Sequence, residues 1–567
     1  MGPVASLPAT PTTPCQDEPV TDLLGAPAEP SDGDTGDDTD HTDPAADVGS
    51  DDHDGPGRPA AERTGADTAR TPRWIRRLAT GVFGLQLVIL LGLSADIYHR
   101  FTLGIDFGIF TQAWSQIGTG NLNPTSTIDN IPYLSSHFEL IMWPLAVLYP
   151  FTRSPFVLLV VQDVAIVGTN VTVFAWVVSL LRRSSVPVRW TAVLAPVTLL
   201  LLAINPLVYA TAGADFHFEP LATWFVVLAA VDLWSGRVRR AWVWAGLCLL
   251  CGDVGGLYVL GLGLTGVVAA RGHRRQALGL LGAGAAWILL ISALGDNVGS
   301  DVSTGYAYLA GRAVLPAGAR GALLLAGGVL GHPQRLWHLL STRWRAMFAY
   351  LKPGGVVGFF TPWGFGVPLV VLLSAGLQQN QLFLNQAFQN FVVYPFVTFG
   401  TVWLVVVVRR SPRRVATGAA VVLTALAVLS AGRIAVQQLP TVLDNNASSG
   451  IVHADQAAAL RATLAATPPG AEVVASVPII GRFAQRRYVY TAVDPAPGGA
   501  RPIPVRAGTV VVVLDTRNAP QLLPGPQVTA VADYLEHHLG ATVLVDRSGV
   551  LALVWHPMPD TRVLQLP

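Results

Sequence analysis

The chain has 567 residues, of which 51% are hydrophobic and only 13% are charged. Several apolar stretches approach the roughly 20 residues that a helix needs to cross a bilayer, which excludes an ordinary soluble enzyme. The formal net charge of +1 gives no reason to expect a nucleic-acid partner. This composition predicts a multi-pass protein of the cell membrane, in contact with membrane lipid.

Residues 1–72 differ from the rest of the chain. The first 70 residues hold 16 of the 36 acidic residues and almost no large apolar side chains. Such a segment cannot bury enough surface to offset its chain entropy. We therefore expect a disordered, acidic tail on the cytoplasmic side. It lacks the short apolar core of a signal peptide, so we expect no cleavage.

Arginine clusters beside the apolar runs define the expected topology. Four arginines precede a first span at about 79–97 and predict a cytoplasmic amino terminus. The run 137–151 is too short to cross and is expected to be a half-span or a surface helix. Residues 73–432 then form a membrane domain of about eleven spans, and the arginines between 300 and 376 permit more than one register there. The further spans are predicted at about 155–181, 190–211, 219–234, 241–270 (as two short helices), 276–294, 315–331, 354–376, 391–408 and 415–432.

Residues 433–567 have a different character and predict a small α/β domain. Two helical patterns, "HADQAAALRATLAATPPG" and "VTAVADYLEHHLG", alternate with buried-strand patterns in "AEVVAS" and "GTVVVVLD", and "ATVLVDRSGVLALVWH" predicts a closing hairpin. Eleven spans place this domain on the extracytoplasmic side. No glycine-rich phosphate-binding pattern follows its first strand, so nucleotide binding is not expected.

A His-Phe-Glu sequence occurs twice, at residues 137–139 and 217–219, each time where an apolar run begins. In extended backbone, residues two apart share a face, so Asp215, His217 and Glu219 are expected to converge. Such a group can hold a divalent cation, orient a phosphate through a protonated histidine, or act as a general base. A hydrogen-bonded helix cap is the alternative.

Other acidic residues also fall at the predicted outer ends of spans, which suggests a single extracytoplasmic polar site. Asp106 begins a helical pattern in the first outer loop and is either its cap or a reactive carboxylate. Asp253 lies in the turn predicted between two short helices. Arg100 lies four residues after Asp96 and can simply pair with it. Asp163, inside a span, is either functional or a partner for helix-to-helix hydrogen bonding.

Several motifs together resemble a known family. "DFGIFTQAWSQIGTG", "HFELIMWPLAVLYPF", "VVQDV", "DFHFEPLATWF", "GDVGGLYVLGLGL" and "FQNFVVYPF" follow one another over roughly 79–545. They resemble a bacterial family of predicted polytopic membrane proteins that is grouped with the GT-C superfamily of membrane glycosyltransferases. The resemblance implies a mainly α-helical GT-C-type fold. It also implies transfer of a sugar from a polyprenyl-phosphate carrier to an acceptor glycan of the cell envelope.

By this resemblance Asp106 is the expected base, and Asp215, His217 and His137 belong to the same cavity. Cationic groups would stabilise the departing phosphate, for which Arg100, Arg312, Arg320 and Arg433 are alternatives. The candidate site comprises catalytic Asp106 and Asp215 and substrate-binding His137, Glu139, His217, Glu219, Asp253 and Arg100. A divalent cation stays open as a cofactor.

Two alternatives remain at this point. The helix break predicted at "CGDVGG" also fits a transporter or flippase for a lipid-linked or anionic substrate. An inactive scaffold that binds carrier lipid is the other, because the family pattern has Lys-Glu-Asp where this chain has Cys251, Gly252 and Asp253.

Overall fold

A computed structural model describes residues 72–566 except 185–186, 295–304, 317, 380–381, 411–413, 449–451, 493–501 and 518–524. The predicted acidic tail lies outside the described residues, apart from Pro72. The described part is mainly helical, with a small sheet near its carboxyl end.

Eleven helices are described before residue 295. They are α1 (Arg73–Arg100), α2 (Ile105–Gly118), α3 (Tyr133–Ser136), α4 (Met142–Ala146), α5 (Phe156–Arg183), α6 (Val188–Ala203), α7 (Pro206–Ala212), α8 (Glu219–Trp234), α9 (Val238–Leu249), α10 (Asp253–Ala269) and α11 (Arg274–Leu294). A short ladder of β1 (Thr125–Ser126) and β2 (Ile131–Pro132) lies between α2 and α3.

Further helices follow the gap at 295–304. They are α12 (Gly318–Gly331), α13 (Pro333–Leu351), α14 (Gly366–Leu377), α15 (Leu382–Asn385), α16 (Val393–Arg409), α17 (Arg414–Ser448), α18 (Ala454–Ala466) and α19 (Gly525–Asp533).

Several of these helices are suited to a membrane. Five segments are long and apolar enough to cross a bilayer: Arg73–Arg100, Phe156–Arg183, Arg189–Ala212, Arg274–Leu294 and Arg414–Leu443. Shorter apolar helices are Asp253–Ala269, Gly318–Gly331, Gly366–Leu377 and Val393–Arg409. These helices support the predicted membrane location, while the count of eleven spans stays a prediction.

The structure differs from the predicted spans in two places. Residues 354–376 do not form one helix: 3-10 turns occupy Lys352–Gly354 and Val356–Phe360, and α14 begins only at Gly366. Glycine causes this difference, because Gly355 has a φ of +80° and a Cβ at Gly358 would overlap the Val397 carbonyl of α16. Farther on, α17 continues to Ser448, past the domain boundary predicted at 432.

Two predictions for the short elements agree with the structure. The run 241–270 forms two helices, α9 and α10, that meet at Cys251 and Gly252. The run 137–151 contains the five-residue helix α4 and turns rather than a crossing helix.

The carboxyl-terminal region contains a five-stranded sheet in the order β4-β3-β6-β8-β7. Its strands are β3 (Glu472–Ala475), β4 (Val489–Thr491), β6 (Val510–Asp515), β7 (Thr542–Arg547) and β8 (Val550–Trp555). β3 pairs in parallel with β4 and β6, and β7 and β8 form the predicted antiparallel hairpin beside β6. A separate ladder joins β5 (Ile503–Pro504) to β9 (Val563–Leu564).

The central strands of this sheet, β3 and β6, are buried on both faces, whereas the edge strand β7 is partly exposed. Along β6, Val511 and Val513 pack into the large core shared with the apolar helices, whereas Val510 and Val512 face a second core covered by α19. The alternation follows from the two-residue period of a strand. The sheet therefore packs firmly against the apolar helices.

The segment around α2 connects the sheet to the helices. Gly481, in a 3-10 turn after β3, donates its N–H to the carbonyl of Leu103 at 3.0 Å. The guanidinium of Arg482 donates to the Tyr98 carbonyl at 2.8 Å and lies 3.9 Å from the centre of the Tyr98 ring. Thr127 exchanges two hydrogen bonds with the backbone of Val489. The turn after β3 and strand β4 thus hold the segments on either side of α2.

Candidate functional site

Six of the predicted site residues line one cavity of about 760 Å³. They come from the first turn of α2, the segment before α4, the start of α8 and the start of α10. The six are Asp106, His137, Glu139, His217, Glu219 and Asp253. Residues far apart in the sequence therefore form one polar end of a cavity.

The rest of the cavity wall is aromatic, aliphatic or uncharged. Phe110, Phe138, Phe218, Tyr258, Tyr306 and Phe388 supply rings, and Leu257, Ile288, Leu309, Leu325, Val329, Val370, Val371, Leu373 and Leu377 supply aliphatic surface. Within the described part of the chain, no arginine or lysine lines the cavity. The cavity is therefore amphiphilic, with an ionisable end and an apolar wall.

His217 is central to the polar end. Its Nε2 lies 3.9 Å from Oδ2 of Asp106, and its Nδ1 lies 3.9 Å from Oε2 of Glu219. The backbone N–H of His217 donates to Oε1 of Gln162 at 2.7 Å, and its ring stacks on Phe388 with centroids 3.5 Å apart. Burial lowers the pKa of His217 to about 4, so its imidazole is neutral near pH 7.

His137 has the opposite character. Its Nδ1 lies 3.7 Å from Oε1 of Glu139, and the Tyr133 hydroxyl donates to Oε2 of the same carboxylate at 3.3 Å. Burial lowers the pKa of His137, but the carboxylates of Glu139, Asp129 and Asp106 have the larger, opposite effect. The pKa is therefore raised from 6.5 to about 9. His137 is therefore an imidazolium at neutral pH and supplies positive charge inside the cavity.

Asp215 lies apart from this group. The structure does not bring it to one face with His217 and Glu219, because its carboxylate turns toward the start of α2 and does not line the cavity. Oδ2 accepts the N–H of Gly104 at 2.8 Å, and the Phe107 N–H also bonds to the carboxylate. Burial, followed by the charge of Asp106, raises the pKa of Asp215 to about 7. Asp215 thus positions the turn that carries Asp106.

The break between α9 and α10 fits closely around Glu139. Gly252 has a φ of +92°, and a Cβ there would lie 3.3 Å from Cγ of Glu139. Trp287 donates its indole N–H to the Gly252 carbonyl at 3.1 Å, and Ile141 donates its N–H to the Leu250 carbonyl at 2.8 Å. The break brings Asp253, the first residue of α10, beside the carboxylates of the cavity.

Residues 98–494 match the family described as "Predicted membrane protein (DUF2079)". The chain belongs to the DUF2079 family. The matched region contains all six cavity residues, as well as strands β3 and β4 of the sheet. No curated protein matches the chain. The match confirms the predicted membrane protein family, and the grouping with GT-C enzymes stays a prediction.

The arginines proposed as phosphate partners lie elsewhere in this DUF2079 protein. Arg100 forms an ion pair with Asp96 at 2.8 Å, as its spacing allows. Neither Arg100 nor the alternatives Arg312, Arg320 and Arg433 line the cavity. Among the described residues that line the cavity, His137 therefore supplies the positive charge that could attract an anion.

Three residues that the sequence analysis did not single out contribute to the site. Phe388 stacks on His217, and Gln162, next to Asp163 in α5, holds the His217 backbone. Arg343 of α13 is only 8% exposed and donates to the carbonyls of Gly376 and Gln378 at the end of α14. Arg343 has a sequence signal, since it interrupts the apolar face of an amphipathic pattern. The stacking of Phe388 on His217 has no such signal in the sequence.

The positions of the acidic and histidine side chains can be compared with the requirements of a metal-binding site. Among the residues that the structure describes, no group of three or more His, Cys, Asp or Glu side chains is placed to hold one. The acids and histidines of the cavity lie 3.7 to 3.9 Å apart in pairs.

Proposed function

We propose that the chain is a membrane glycosyltransferase that moves a sugar from a polyprenyl-phosphate donor to an extracytoplasmic acceptor. The observation that carries the proposal is the amphiphilic cavity, in which carboxylates and histidines lie at one end of an aromatic and aliphatic wall. A lipid-linked sugar has the same two-part character. The resemblance of the motifs to a family grouped with the GT-C superfamily supports the same activity.

Each polar residue then has a task. Asp106 is the most exposed of the three acids that lie beside a cavity histidine, with 42% of its side chain accessible, and accepts the proton of the attacking hydroxyl. The new bond forms between that oxygen and the anomeric carbon, while the bond from the anomeric carbon to the phosphate oxygen breaks. The imidazolium of His137 stabilises the departing phosphate. This single displacement inverts the anomeric centre.

The remaining acids and rings bind the sugar. Glu139, Glu219 and Asp253 accept hydrogen bonds from sugar hydroxyls, and neutral His217 is held between two carboxylates by its stacking on Phe388. The aliphatic residues of α12 and α14 cover the first isoprene units. Binding energy from these parts of the donor orients the anomeric carbon.

The proposed topology places this site outside the cytoplasm. The arginines before α1 favour a cytoplasmic amino terminus. The carboxyl-terminal sheet packs on the segment that contains α2, and α2 carries Asp106, so the sheet and the site share one face of the membrane. On this basis the sheet domain is extracytoplasmic and belongs to the same structural unit as the cavity.

Transfer from labelled polyprenyl-phosphate sugars, measured in membrane vesicles of both orientations, tests the activity. We expect Asp106→Asn to slow transfer by roughly a hundredfold or more, because a general base is removed. Asp546→Asn, an exposed acid of β7, is the matched control and should leave the rate unchanged. Equal rates for Asp106→Asn and wild type would refute the assignment.

One observation favours transport as the second candidate. The break between α9 and α10 places the amino end of α10 in the cavity wall, as in transporters that bind anions at broken helices. Carrier lipid that crosses the bilayer in reconstituted vesicles without transfer of its sugar would favour this function over the first.

A further inference from the structure

Helix α13 presents three different faces. Its inner face contains the buried Arg343, whose guanidinium donates to the carbonyls of Gly376 and Gln378 at the end of α14. One flank exposes two tryptophans, Trp337 at 73% and Trp344 at 52%. They are seven residues apart and therefore lie on the same side of the helix, two turns from each other.

The remaining face is a basic strip. Arg335, His338, Thr342 and Arg345 follow one another at intervals of three and four residues, so they share one side of the helix, and all four are exposed. The sequence of α13 contains no Asp or Glu. Among the described residues, no carboxylate lies within salt-bridge distance of Arg335 or Arg345.

The two arginines of the strip contact neighbouring groups, but no carboxylate among the described residues balances their charge. Arg335 donates one N–H to the Tyr308 carbonyl at 3.2 Å, and the guanidinium of Arg345 lies 5.8 Å from the centre of the Trp344 ring. Each guanidinium has five N–H donors in a planar fork, so most donors remain open to an acceptor such as phosphate.

We propose that α13 lies in the headgroup layer of the membrane and that its basic strip binds anionic phospholipid. Tryptophans are enriched at the boundary between hydrocarbon and headgroups, and interfacial helices carry Arg or Lys on their polar face. Anionic headgroups supply the complementary charge. The binding site consists of Arg335, His338 and Arg345, with Trp337 and Trp344 as the anchors beside it.

The neighbouring helix favours a lipid over a soluble protein as the occupant. α12 ends two residues before α13 begins, and it exposes Leu323 at 74% and Leu330 at 81%. Exposed leucines on an apolar helix, next to a helix that exposes both tryptophans and arginines, are the combination found where the hydrocarbon meets the headgroup layer. This site is independent of the proposed transferase activity.

The test uses the full-length protein with Cys15→Ser and a fluorophore on Ser341→Cys, an exposed position between the tryptophan flank and the basic strip. The remaining cysteines, Cys248 and Cys251, are buried and do not compete for the label. The protein in detergent micelles is titrated with phosphatidylglycerol or phosphatidylcholine that carries a quencher in its headgroup. Soluble glycerol phosphate is a third titrant and distinguishes a free phosphate ligand from a membrane lipid.

We expect phosphatidylglycerol to quench at lower concentration than phosphatidylcholine and glycerol phosphate not to compete. Arg335→Gln together with Arg345→Gln should weaken phosphatidylglycerol binding about fivefold for each arginine. Arg547→Gln with Arg562→Gln, exposed in the carboxyl-terminal region, removes the same charge and should have no effect. Equal quenching by both lipids, or an unchanged affinity in the α13 variant, would overturn the proposal, and competition by glycerol phosphate would replace the lipid with a free anion.

Discussion

The two histidines of the cavity, His137 and His217, differ in protonation state. Burial outweighs the nearby charge of Asp106 and, together with the charge of His137, lowers the pKa of His217 to about 4, whereas the carboxylates around His137 outweigh its burial and raise its pKa to about 9. The balance between burial and neighbouring charges therefore determines each protonation state. The difference gives the cavity one cationic and one neutral ring near pH 7.

The raised pKa of His137 predicts a loss of stability at alkaline pH. The folded value of about 9 exceeds the ordinary value of 6.5, so the stabilisation is fully present below about pH 6.5 and is lost as pH rises through 9. His137→Gln should remove this alkaline loss, roughly 1 to 3 kcal/mol. Thermal unfolding in detergent across this pH range measures it.

His217→Gln is the comparison for that experiment. The lowered pKa of His217 means that its contribution is present above pH 6.5 and is lost as pH falls toward 4, so this variant should change only the acid side. An alkaline loss that persists in His137→Gln would contradict the assigned charge of His137.

Asp215 gives a second prediction. Asp215→Ala leaves the partly buried Gly104 N–H without its acceptor and should cost roughly 1 to 2 kcal/mol of unfolding free energy. Asp215→Asn keeps an acceptor oxygen and should be nearly neutral near pH 4. Because burial raises the pKa of Asp215 from its ordinary value of 3.8 to about 7, the wild-type protein loses stability as pH rises through that range, and Asn should become the more stable side chain. Equal losses for Ala and Asn would contradict the positioning role.

Much of the polar site could be predicted from the sequence. Asp106, His137, Glu139, His217, Glu219 and Asp253 were found because each is a polar residue where an apolar run begins, and such positions converge when the runs pack as helices. The direction of Asp215 could not be predicted. It depends on a hydrogen bond to Gly104, 111 residues away, for which neither segment carries a local signal.

At the scale of elements, the α9–α10 break shapes the cavity. Gly252→Ala should lower the unfolding free energy by roughly 1 to 3 kcal/mol, because Ala rarely adopts a φ of +92° and its Cβ would crowd Glu139. Gly246→Ala is the matched control within α9, where a Cβ meets nothing within 4 Å. That variant should be neutral or slightly stabilising. Equal effects of the two substitutions on the unfolding midpoint would show that the break is not strained by a side chain.

Glycine also explains why the helix predicted at residues 354–376 does not form. Residues 354–376 have the apolar composition of a span, and composition alone predicts one helix. Close approach between Gly358 and the α16 backbone selects 3-10 turns instead. That contact is tertiary, so a local pattern does not contain it. By contrast, "CGDVGG" could be recognised as a break because its glycines and its acid lie together.

For the molecule as a whole, the sheet and the apolar helices share one core. Arg482 joins them by its position over the Tyr98 and Phe101 rings, at 3.9 and 4.6 Å. Arg482→Ala should therefore loosen the segment from 98 to 118 that carries Asp106. The expected cost is roughly 1 to 3 kcal/mol, from the lost cation–π contact and the lost hydrogen bond to Tyr98.

Hydrogen exchange measures that effect locally. Amides of α2 should exchange faster in Arg482→Ala, whereas Arg562→Ala, an exposed arginine, should leave them unchanged. Unaltered exchange in α2 would mean that the sheet does not support the site.

The central claim is that the cavity holds a lipid-linked sugar, and photo-crosslinking tests it most directly. A polyprenyl-phosphate sugar with a photoreactive group on its first isoprene unit is irradiated with the purified protein, and the modified residues are mapped by mass spectrometry. The account predicts labelling of Leu325, Val329 and Leu373, which line the apolar wall, and competition by unlabelled polyprenyl-phosphate sugar. Labelling confined to residues outside the cavity, or no competition, would contradict it.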